Sequence, residues 1–311
     1  RPPRSTPLYS SAASDVYKRQ TLLIGNFDGV HLGHQSLINF AKKIASSSNT
    51  ELSLVTFCPH PREIILKKSI DLIIPYSEKI EILKASFIDN VVEIKFTDEI
   101  SNMNPDDFIQ TYLEKSNPLN IVVGKNFRFG SKASGDIDTL RNYKNSKFNV
   151  HAIDIEEISG KRISSTFIKN LLREGKIKDA NSFLGRNYYI KGEVVEGEKR
   201  GREIGFPTTN LKTNWNFLPK EGVYVTHIYV KGVKHEGITN IGHRPTFGKK
   251  DLLIESHLFD FDEFIYGANI KIEFIERIRS EKKFDSVEEL IENIKKDVEF
   301  AKKLFTKDEI I

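Results

Sequence analysis

Short apolar runs alternate with helical patterns through the first half of the chain. Apolar runs as long as a buried strand occur at 22–24, 51–57, 90–96 and 120–124. Apolar residues recur every three or four positions, as in helices, at 37–45, 76–88 and 104–113. Strands that alternate with helices form mostly parallel sheets. We therefore expect a Rossmann-like α/β domain in this half.

The pattern changes near residue 185, where short alternating runs replace the helices. Such runs, typical of strands, occur at 188–195, 222–230, 234–241, 252–259 and 269–277. Short strands between glycine turns favour a small closed antiparallel β-barrel. An apolar stripe from Val287 to Leu304 then predicts a terminal helix, with Ser286 and Glu289 as a capping box. The patterns place one domain at 21–184 and a second at 185–311.

Composition fits a soluble protein of two domains. The chain has 311 residues, more than one hydrophobic core usually organises. None of its apolar runs approaches the roughly 20 residues that span a bilayer. The single cysteine, Cys58, excludes an internal disulfide. We expect a cytoplasmic protein with no membrane partner.

The first twenty residues stand apart from both domains. They show no strand or helix period and no apolar signal-peptide core, which predicts a non-native or disordered tail at 1–20. Four basic residues and one acidic residue in this tail account for most of the net charge of +4. The rest of the chain is nearly neutral, so we expect no nucleic-acid partner. An oligomer is compatible with the sequence.

The turn after the first strand carries the strongest candidate site. His31-Leu32-Gly33-His34 stands where a helix begins, so the two imidazoles face the same way. Unpaired N–H groups of a first helical turn bind phosphate, and glycine lets a ligand approach the backbone. The alternative is a pair of capping or surface histidines. The candidate phosphate-binding residues around the histidines are Gly25, Phe27, Asp28 and Gly33.

Two more polar turns follow buried strands, where doubly wound sheets bind ligands. The first is Cys58-Pro59-His60-Pro61, and the second contains Asn126 and Arg128 between two phenylalanines. Each turn also has a purely structural interpretation. In the first the His60 ring caps a backbone group, and in the second the phenylalanines belong to the core. Farther along, hydroxyls precede a helix at Ser164, Ser165 and Thr166, with Lys169 inside the helix.

These four stretches, GNFDGVHLGH, TFCPHP, VGKNFRFG and ISSTFIKNLL, resemble the signatures of bacterial FAD synthetases, a branch of the nucleotidylyltransferases. The resemblance implies that His31 and His34 stabilise the transition state of adenylyl transfer. It places ATP or phosphate at Gly25, Phe27, Asp28, Gly33, Ser164, Ser165, Thr166 and Lys169, and flavin at His60, Pro61, Asn126 and Arg128. Lys169 stands where the family usually has arginine, which keeps the charge but loses the two-pronged hydrogen bond to phosphate.

The second half carries a glycine-rich stretch from Gly197 to Leu211. Its glycines, spaced by four, allow the backbone to approach a polyphosphate, although a hairpin with no ligand gives the same pattern. Thr208 and Asn210 offer the oxygen ligands that Mg²⁺ prefers. The stretch resembles the riboflavin kinase signature, which places phosphate at Gly201, Arg202 and Gly205, and Mg²⁺ at Thr208 and Asn210.

Glu255 lies in a later strand, LIESHLFDF, where the riboflavin kinases have their catalytic carboxylate. The resemblance implies that Glu255 accepts the proton of the ribityl hydroxyl. A carboxylate in a strand is otherwise usually a solvent-exposed residue. The neighbouring Asp260, Asp262 and Glu263 read as a solvated turn rather than a metal site.

The resemblance covers residues 21 to about 305 and implies a bifunctional transferase. A riboflavin kinase barrel would convert riboflavin and ATP to FMN, and the first domain would convert FMN and ATP to FAD, both with Mg²⁺. One alternative is a riboflavin kinase whose adenylyltransferase domain is impaired, because Lys169 replaces arginine. The other is a flavin- or nucleotide-responsive binding protein without turnover.

Overall fold

The computed structural model describes residues 19–144, 146–154, 157–158, 161–197, 200–246 and 249–308. Two compact units make up the chain, the first ending at Ser165 and the second beginning at Thr166. Most of the predicted tail, residues 1–18, lies outside the described residues, and the first strand begins at Gln20.

The first unit contains a parallel sheet with helices between its strands. Its elements are β1 (Gln20–Ile24), α1 (Leu32–Ser47), β2 (Glu51–Cys58), α2 (Pro61–Leu66), α3 (Tyr76–Ala85), β3 (Asn90–Lys95), α4 (Asp98–Asn102), α5 (Pro105–Phe108), β4 (Pro118–Gly124), α6 (Ile137–Arg141), β5 (Asn149–Ile153), β6 (Glu157–Ile158) and β7 (Lys161–Arg162). A π-helical turn at Ile109–Leu113 and 3₁₀ turns at Glu114–Ser116 and Ser131–Ala133 complete it. Helix α7 (Ser165–Glu174) starts at the boundary between the units.

The strand order, β3-β2-β1-β4-β5, confirms the predicted Rossmann-like sheet. Every neighbouring pair in it is parallel. The chain reverses its direction of travel across the sheet between β1 and β4, and ligands bind at the carboxyl ends of the strands beside such a reversal. The turns after β2, β1 and β4 therefore lie along one edge of the sheet.

The core of this unit accounts for the two phenylalanines of the VGKNFRFG turn. Phe129 is buried in a cluster with Phe108 and the sheet residues Ile24 and Val123, and Phe127 packs against that cluster. The two phenylalanines of the VGKNFRFG turn thus belong to the core, as one of our two readings had it.

Helix α3 ends at Ala85, so our prediction of a helix through residue 88 was wrong at its end. Phe87, which we placed on the apolar face, has a left-handed φ of 53° and is 89% exposed. The turn at Phe87 ends the helix because it directs the next residue, Ile88, into the core, where only 3% of its surface is exposed.

The second unit is built on a six-stranded closed barrel. Its remaining elements are α8 (Ile177–Leu184), β8 (Tyr188–Val195), α9 (Arg200–Glu203), β9 (Thr209–Lys212), β10 (Gly222–Val230), β11 (Val233–Thr246), β12 (Lys249–Leu258), β13 (Asn269–Arg279) and α10 (Val287–Asp308). The barrel closes in the order β10-β11-β12-β9-β8-β13, with antiparallel neighbours. This confirms the predicted barrel and terminal helix.

Alternate positions along the strands face opposite sides of the barrel wall. Inside, Tyr224, Thr226 and Ile228 of β10 are fully buried. Outside, Val223 and Val225 pack with Ala301 and Phe305 of α10. The barrel therefore supplies the surface that the apolar stripe of the terminal helix covers.

Three details of this unit differ from the sequence prediction or leave it untested. The glycine-rich stretch contains the short helix α9 and ends in strand β9, neither of which the sequence analysis predicted. Ser286 Oγ accepts the Glu289 N–H at 3.1 Å, but the Glu289 carboxylate accepts the Asp285 N–H instead of completing the capping box. The domain boundary after residue 184 stays a prediction.

In the described part of the chain, no helix is both long enough and apolar enough to cross a bilayer.

Candidate functional site

The turn between β1 and α1 is held in an unusual backbone conformation. Phe27 and Val30 have φ values of 55° and 40°, in the left-handed region that side chains other than glycine rarely adopt. The Asp28 carboxylate accepts the Ile73 N–H at 2.8 Å, and Ser165 Oγ donates to the Asp28 carbonyl oxygen at 3.0 Å. Strain maintained by surrounding contacts is typical of ligand sites.

His31 and His34 stand together where α1 begins. Their rings stack with centroids 3.6 Å apart and planes 16° apart. His31 is the N-cap of the helix, and its Nδ1 accepts the His34 N–H at 3.4 Å. Because Nδ1 is the acceptor, the neutral His31 ring carries its hydrogen on Nε2. The predicted alignment of the two rings is therefore present, and one of them also caps the helix.

The neighbouring residues support this pair. The Phe27 ring is only 1% exposed and meets His34 edge-on at a centroid distance of 5.2 Å. Its place in the site is thus behind His34. A Cβ atom at Gly25 would lie 3.1 Å from the Phe27 ring, so glycine suits this close packing. Gly33, which stands between the two histidines in the sequence, is buried.

Lys79 of α3 lies under the same turn and was missed in the sequence. Its Nζ donates to the Asn26 carbonyl oxygen and to Thr56 Oγ1, both at 3.1 Å. The side chain is 6% exposed. A signal was present, because Lys79 follows Tyr76 by three positions and precedes Leu83 by four, on the inward face of the helix.

The turn after β2 has a capped helix. His60 Nδ1 accepts the Arg62 N–H at 3.2 Å, while Glu63 Oε2 accepts the His60 N–H at 3.2 Å. The capping interpretation of His60 is therefore correct for Nδ1, and Pro61 occupies the first helical position. Binding of flavin by this turn stays a prediction.

The turn after β4 exposes Asn126 and Arg128. Arg128 lines a cavity of about 300 Å³ together with Lys125, Arg141 and Asp136. Asp136 caps α6 by accepting the Thr139 N–H at 3.0 Å. Hydrogen bonds from Thr139 hold the pKa of this carboxyl below its usual value.

The predicted closing motif spans the boundary between the units. Ser164 and Ser165 belong to the first unit, and Ser165 contacts the Asp28 turn directly. Thr166 and Lys169 belong to the second unit. Within it, Thr166 is exposed and Lys169 is half-buried on α7.

In the barrel, three polar residues stand side by side on adjacent strands. Glu255 of β12 pairs with Asn210 of β9 on one side and with Asn240 of β11 on the other. Inward-facing Ser256 and Thr239 alternate with Glu255 and Asn240, which therefore face the outside of the wall. The Asn240 side-chain amide donates to Glu281 at 3.2 Å. Neither Asn240 nor Glu281 was among the predicted site residues.

The glycine-rich segment lies against Asn210 and Thr208. A methyl group on Gly197 would overlap the Asn210 side chain. On Gly201 it would overlap the Phe206 carbonyl and lie 3.1 Å from Thr208 Oγ1. Gly205 has a φ of 83°. The side chain of Arg202 lies outside the described residues.

His257 ties β12 to this segment. Its Nδ1 donates to the Pro207 carbonyl oxygen at 2.8 Å, just before Thr208. Burial lowers the pKa of the His257 ring, which keeps it neutral. The sequence signal was its position two residues after Glu255, on the same face of the strand.

A cavity of about 590 Å³ opens in the second unit. Ile241 and Leu252 supply apolar lining, and Glu281 links the cavity to Asn240. Charged lining comes from Arg173, Lys220, Arg277 and Glu221. The exposed Asp260, Asp262 and Glu263 lie in a turn, as predicted.

A Rossmann-like sheet with an H-x-G-H helix start beside its reversal point is the architecture of a nucleotidylyltransferase. A small barrel with a glycine-rich segment over Thr208 and Asn210, next to Glu255, is that of a phosphotransferase. Family models match each part: "FAD synthetase" over residues 14–167 and "Riboflavin kinase" over residues 184–305. The chain belongs to the family of bifunctional riboflavin kinase/FMN adenylyltransferases.

Relatives of that description match nearly the whole chain. The one from Bacillus subtilis (strain 168) is 38% identical, over 93% of both chains. The one from Listeria monocytogenes is 35% identical, over 97% of this chain and 96% of the relative. A crystal structure described as a macrolide-efflux protein from Streptococcus pneumoniae has a TM-score of 0.86 and 29% identity, covering 93% of this chain and 95% of that one.

These matches confirm the resemblance and define the chain as a transferase with two activities. Both halves match their own family model, and full-length relatives carry the bifunctional description. The alternative of a riboflavin kinase with an impaired adenylyltransferase domain is therefore not favoured.

Proposed function

We propose that the two activities reside at two separate sites of the chain. The barrel transfers the γ-phosphoryl group of ATP to riboflavin and forms FMN and ADP. The first unit joins FMN to the adenylyl group of a second ATP and forms FAD and pyrophosphate. The observation that carries this proposal is that Glu255 and Asn210 are paired in one unit, whereas the stacked His31 and His34 lie in the other.

Glu255 is the base of the kinase reaction. The acceptor is a neutral ribityl hydroxyl, whose oxygen forms a bond to the γ-phosphorus while the bond from phosphorus to the ADP oxygen breaks. Glu255 accepts the hydroxyl proton. General-base catalysis of this kind contributes about 10²–10⁴-fold. Asn240 is the cross-strand neighbour of Glu255, and its hydrogen bond to Glu281 holds a polar side chain beside the Glu255 carboxylate.

Asn210 and Thr208 fit a Mg²⁺ ion. Asn210 is 7% exposed, and its Oδ1 accepts no hydrogen bond from the residues that the structure describes. A buried amide oxygen without a donor suits a hard cation. The ion, when bound, neutralises charge on the phosphates of ATP. The glycines at 197 and 201 leave space for the backbone to lie against these two ligands.

The cavity next to Asn240 is the proposed place of the riboflavin ring. Its volume of about 590 Å³ falls in the range of small-molecule sites, and it combines apolar Ile241 and Leu252 with polar groups. Glu281 lines the cavity and is bonded to Asn240, the cross-strand neighbour of the base. Glu281 thereby connects the proposed flavin cavity to the strand pair that carries Glu255.

The adenylyltransferase site needs no base, because the phosphate of FMN is already an anion at neutral pH. Its oxygen attacks the α-phosphorus of ATP, and pyrophosphate leaves. The chain supplies hydrogen-bond donors and orientation. His31 and His34 donate to phosphate oxygens, and Gly25, Gly33, Ser164 and the Asp28 turn support them. The roles of Thr166 and Lys169, which belong to the second unit, stay predictions of the sequence resemblance.

The flavin of this second reaction is proposed to bind at the neighbouring turns. His60 and Pro61 follow β2, and Asn126 and Arg128 follow β4, the two strands on either side of β1. Exposed Arg128 is proposed to supply positive charge for the FMN phosphate, since the neighbouring Lys125 and Arg141 are already paired with Asp154 and Asp138.

The decisive experiment incubates the full chain with riboflavin, ATP and Mg²⁺ and separates the flavins by chromatography over time. FAD that accumulates through transient FMN supports both activities. FMN without FAD, with FMN also unreactive when supplied directly, contradicts the adenylyltransferase assignment. A folded sample that forms neither product contradicts both. Chelation of Mg²⁺ should stop both steps.

A further inference from the structure

Lys79 is a buried cation directly beneath the turn that leads to His31. Two of its N–H groups bond to the Asn26 carbonyl oxygen and Thr56 Oγ1, both at 3.1 Å. Its Nζ also lies 4.4 Å from the centre of the Tyr76 ring, within the range of a cation–π contact. The ammonium group is thus held by three neighbours from three segments of the first unit.

Among the residues that the structure describes, no carboxylate is bonded to Lys79 Nζ. Both hydrogen-bond acceptors are neutral, and the acidic groups of Asp28 and Glu93 and the Cys58 thiol act only through space. Burial is the largest effect, and it lowers the pKa of Lys79 to about 8. Burying a cation without an ion-pair partner costs free energy. An apolar side chain of similar length would fill the same space at lower cost.

The position of Lys79 suggests what offsets this cost. Asn26 lies between Gly25 and Phe27 in the strained turn, and its carbonyl oxygen also accepts a longer hydrogen bond from Thr56 Oγ1, at 3.4 Å. Ile73 and Ser165 hold the Asp28 end of the same turn. Lys79 holds the other end. Its charge also lies under the carboxyl ends of β1 and β2, the edge where phosphate is proposed to bind.

We propose that Lys79 is a positioning residue of the adenylyltransferase site. In its charged form it fixes the turn at Asn26, which precedes the two histidines in the sequence, and it favours negative charge above that turn. The inference rests on the proposed function of the first unit. Lys79 does not touch the reacting atoms in this arrangement. It acts through the backbone of the turn and through its electric field.

A pH dependence follows from this role. Lys79 is charged below pH 8 and becomes neutral as the pH rises through that value. A neutral amine keeps two donors, so the charge is the main loss. Because kcat/KM reports the free enzyme, kcat/KM for FMN adenylylation should fall above pH 8. Riboflavin phosphorylation by the same chain should not share this decrease.

The test replaces Lys79 by Met in the full chain and measures both activities of each sample from pH 6.5 to 9.5. We expect kcat/KM for FMN adenylylation to fall about 10–100-fold at pH 7, the usual loss when a group that orients a site residue is removed. The decrease above pH 8 should disappear. Riboflavin phosphorylation by the second unit should stay within about twofold, and a circular dichroism spectrum and urea midpoint close to wild type report that the first unit is folded.

Two further variants keep the test decisive. Lys84→Met removes a lysine from the same helix with no contact to the turn and should leave both activities unchanged. Thr56→Val removes one acceptor but keeps Lys79, so the decrease in adenylylation should move to lower pH. This shift distinguishes a charge effect from a loss of packing, even if Lys79→Met folds poorly.

A wild-type profile that stays flat between pH 7.5 and 9.5 overturns the inference. So does a folded Lys79→Met protein that retains wild-type kcat/KM. In both cases FAD is formed and the proposed function stands. A wild-type chain that makes FMN but no FAD at any pH instead contradicts the proposed function, and the inference with it.

Discussion

Asn210 and Glu255 lie directly opposite each other on the antiparallel strands β9 and β12. The pairing sets a buried amide oxygen, suited to a metal ion, beside a carboxylate suited to accept a proton. His257, two residues after Glu255, bonds to the segment before Thr208 and fixes the position of the glycine-rich stretch relative to the same strand.

Replacing Glu255 by Gln should lower riboflavin phosphorylation by about 10²–10⁴-fold, because the amide cannot accept the hydroxyl proton. Formation of FAD from supplied FMN should stay within about twofold. Both rates are measured by flavin chromatography. The exposed Glu263→Gln is the matched control. Equal loss of both activities would contradict the separation of the two sites.

Replacing His34 by Ala should give the opposite result. The adenylylation rate should fall by about 10²–10³-fold, the usual effect of losing one donor to a developing negative charge. Riboflavin should still be converted to FMN, so FMN should accumulate in the coupled reaction. An unchanged rate of FAD formation would remove His34 from the catalytic group.

Replacing Asn210 by Ala should raise the Mg²⁺ concentration that gives half-maximal kinase activity by about tenfold or more, in line with the usual effect of weakening a metal site. The readout is the rate of FMN formation in a Mg²⁺ titration at saturating ATP. Asn214→Ala, at an exposed position nearby, serves as the control. A Mg²⁺ dependence identical to that of the wild type would disprove the ligand assignment.

The stability of the first unit should rise with pH above 8 because of Lys79. The pKa is about 8 in the folded chain and 10.5 in the reference state, so the unfolded chain binds the extra proton between these values. Stability therefore increases with pH in this window, by about 1–2 kcal/mol from pH 8 to 9.5. Urea unfolding followed by circular dichroism should show this increase as a difference between wild type and Lys79→Met, because the raised pKa of Cys58 acts in the opposite direction. Lys79→Met should lack it.

The alternation of apolar positions was sufficient to predict most of the fold. The predicted β8 and β10 agree with the structure in both bounds. Strand β9 was missed because it follows the glycine-rich stretch and has only four residues, too few to show an alternation of apolar and polar positions. Helix α3 was drawn too long because Phe87 fits the helical spacing, although the chain turns there.

The candidate site residues were likewise only partly predictable from the sequence. His31 and His34 were found because three positions along a helix start place two rings together, which is a local relation. His60 fits a ligand turn and a helix cap equally well by sequence, and only the hydrogen bond from Arg62 reveals the cap. The contact between Asn240 and Glu281 has no local signal, because it depends on how β11 and the segment before α10 meet.

Periodicity and turn residues act over a few positions, so they were sufficient to predict two domains, a parallel sheet followed by a barrel, and the polar turns at the strand ends. Which distant residues meet depends on how whole elements pack. The register of β9 against β12 pairs Asn210 with Glu255, and the packing of α3 on the sheet places Lys79 under Asn26. Register and burial depend on the packing of whole elements, so they determine the partners and pKa of a side chain that its sequence neighbours do not specify.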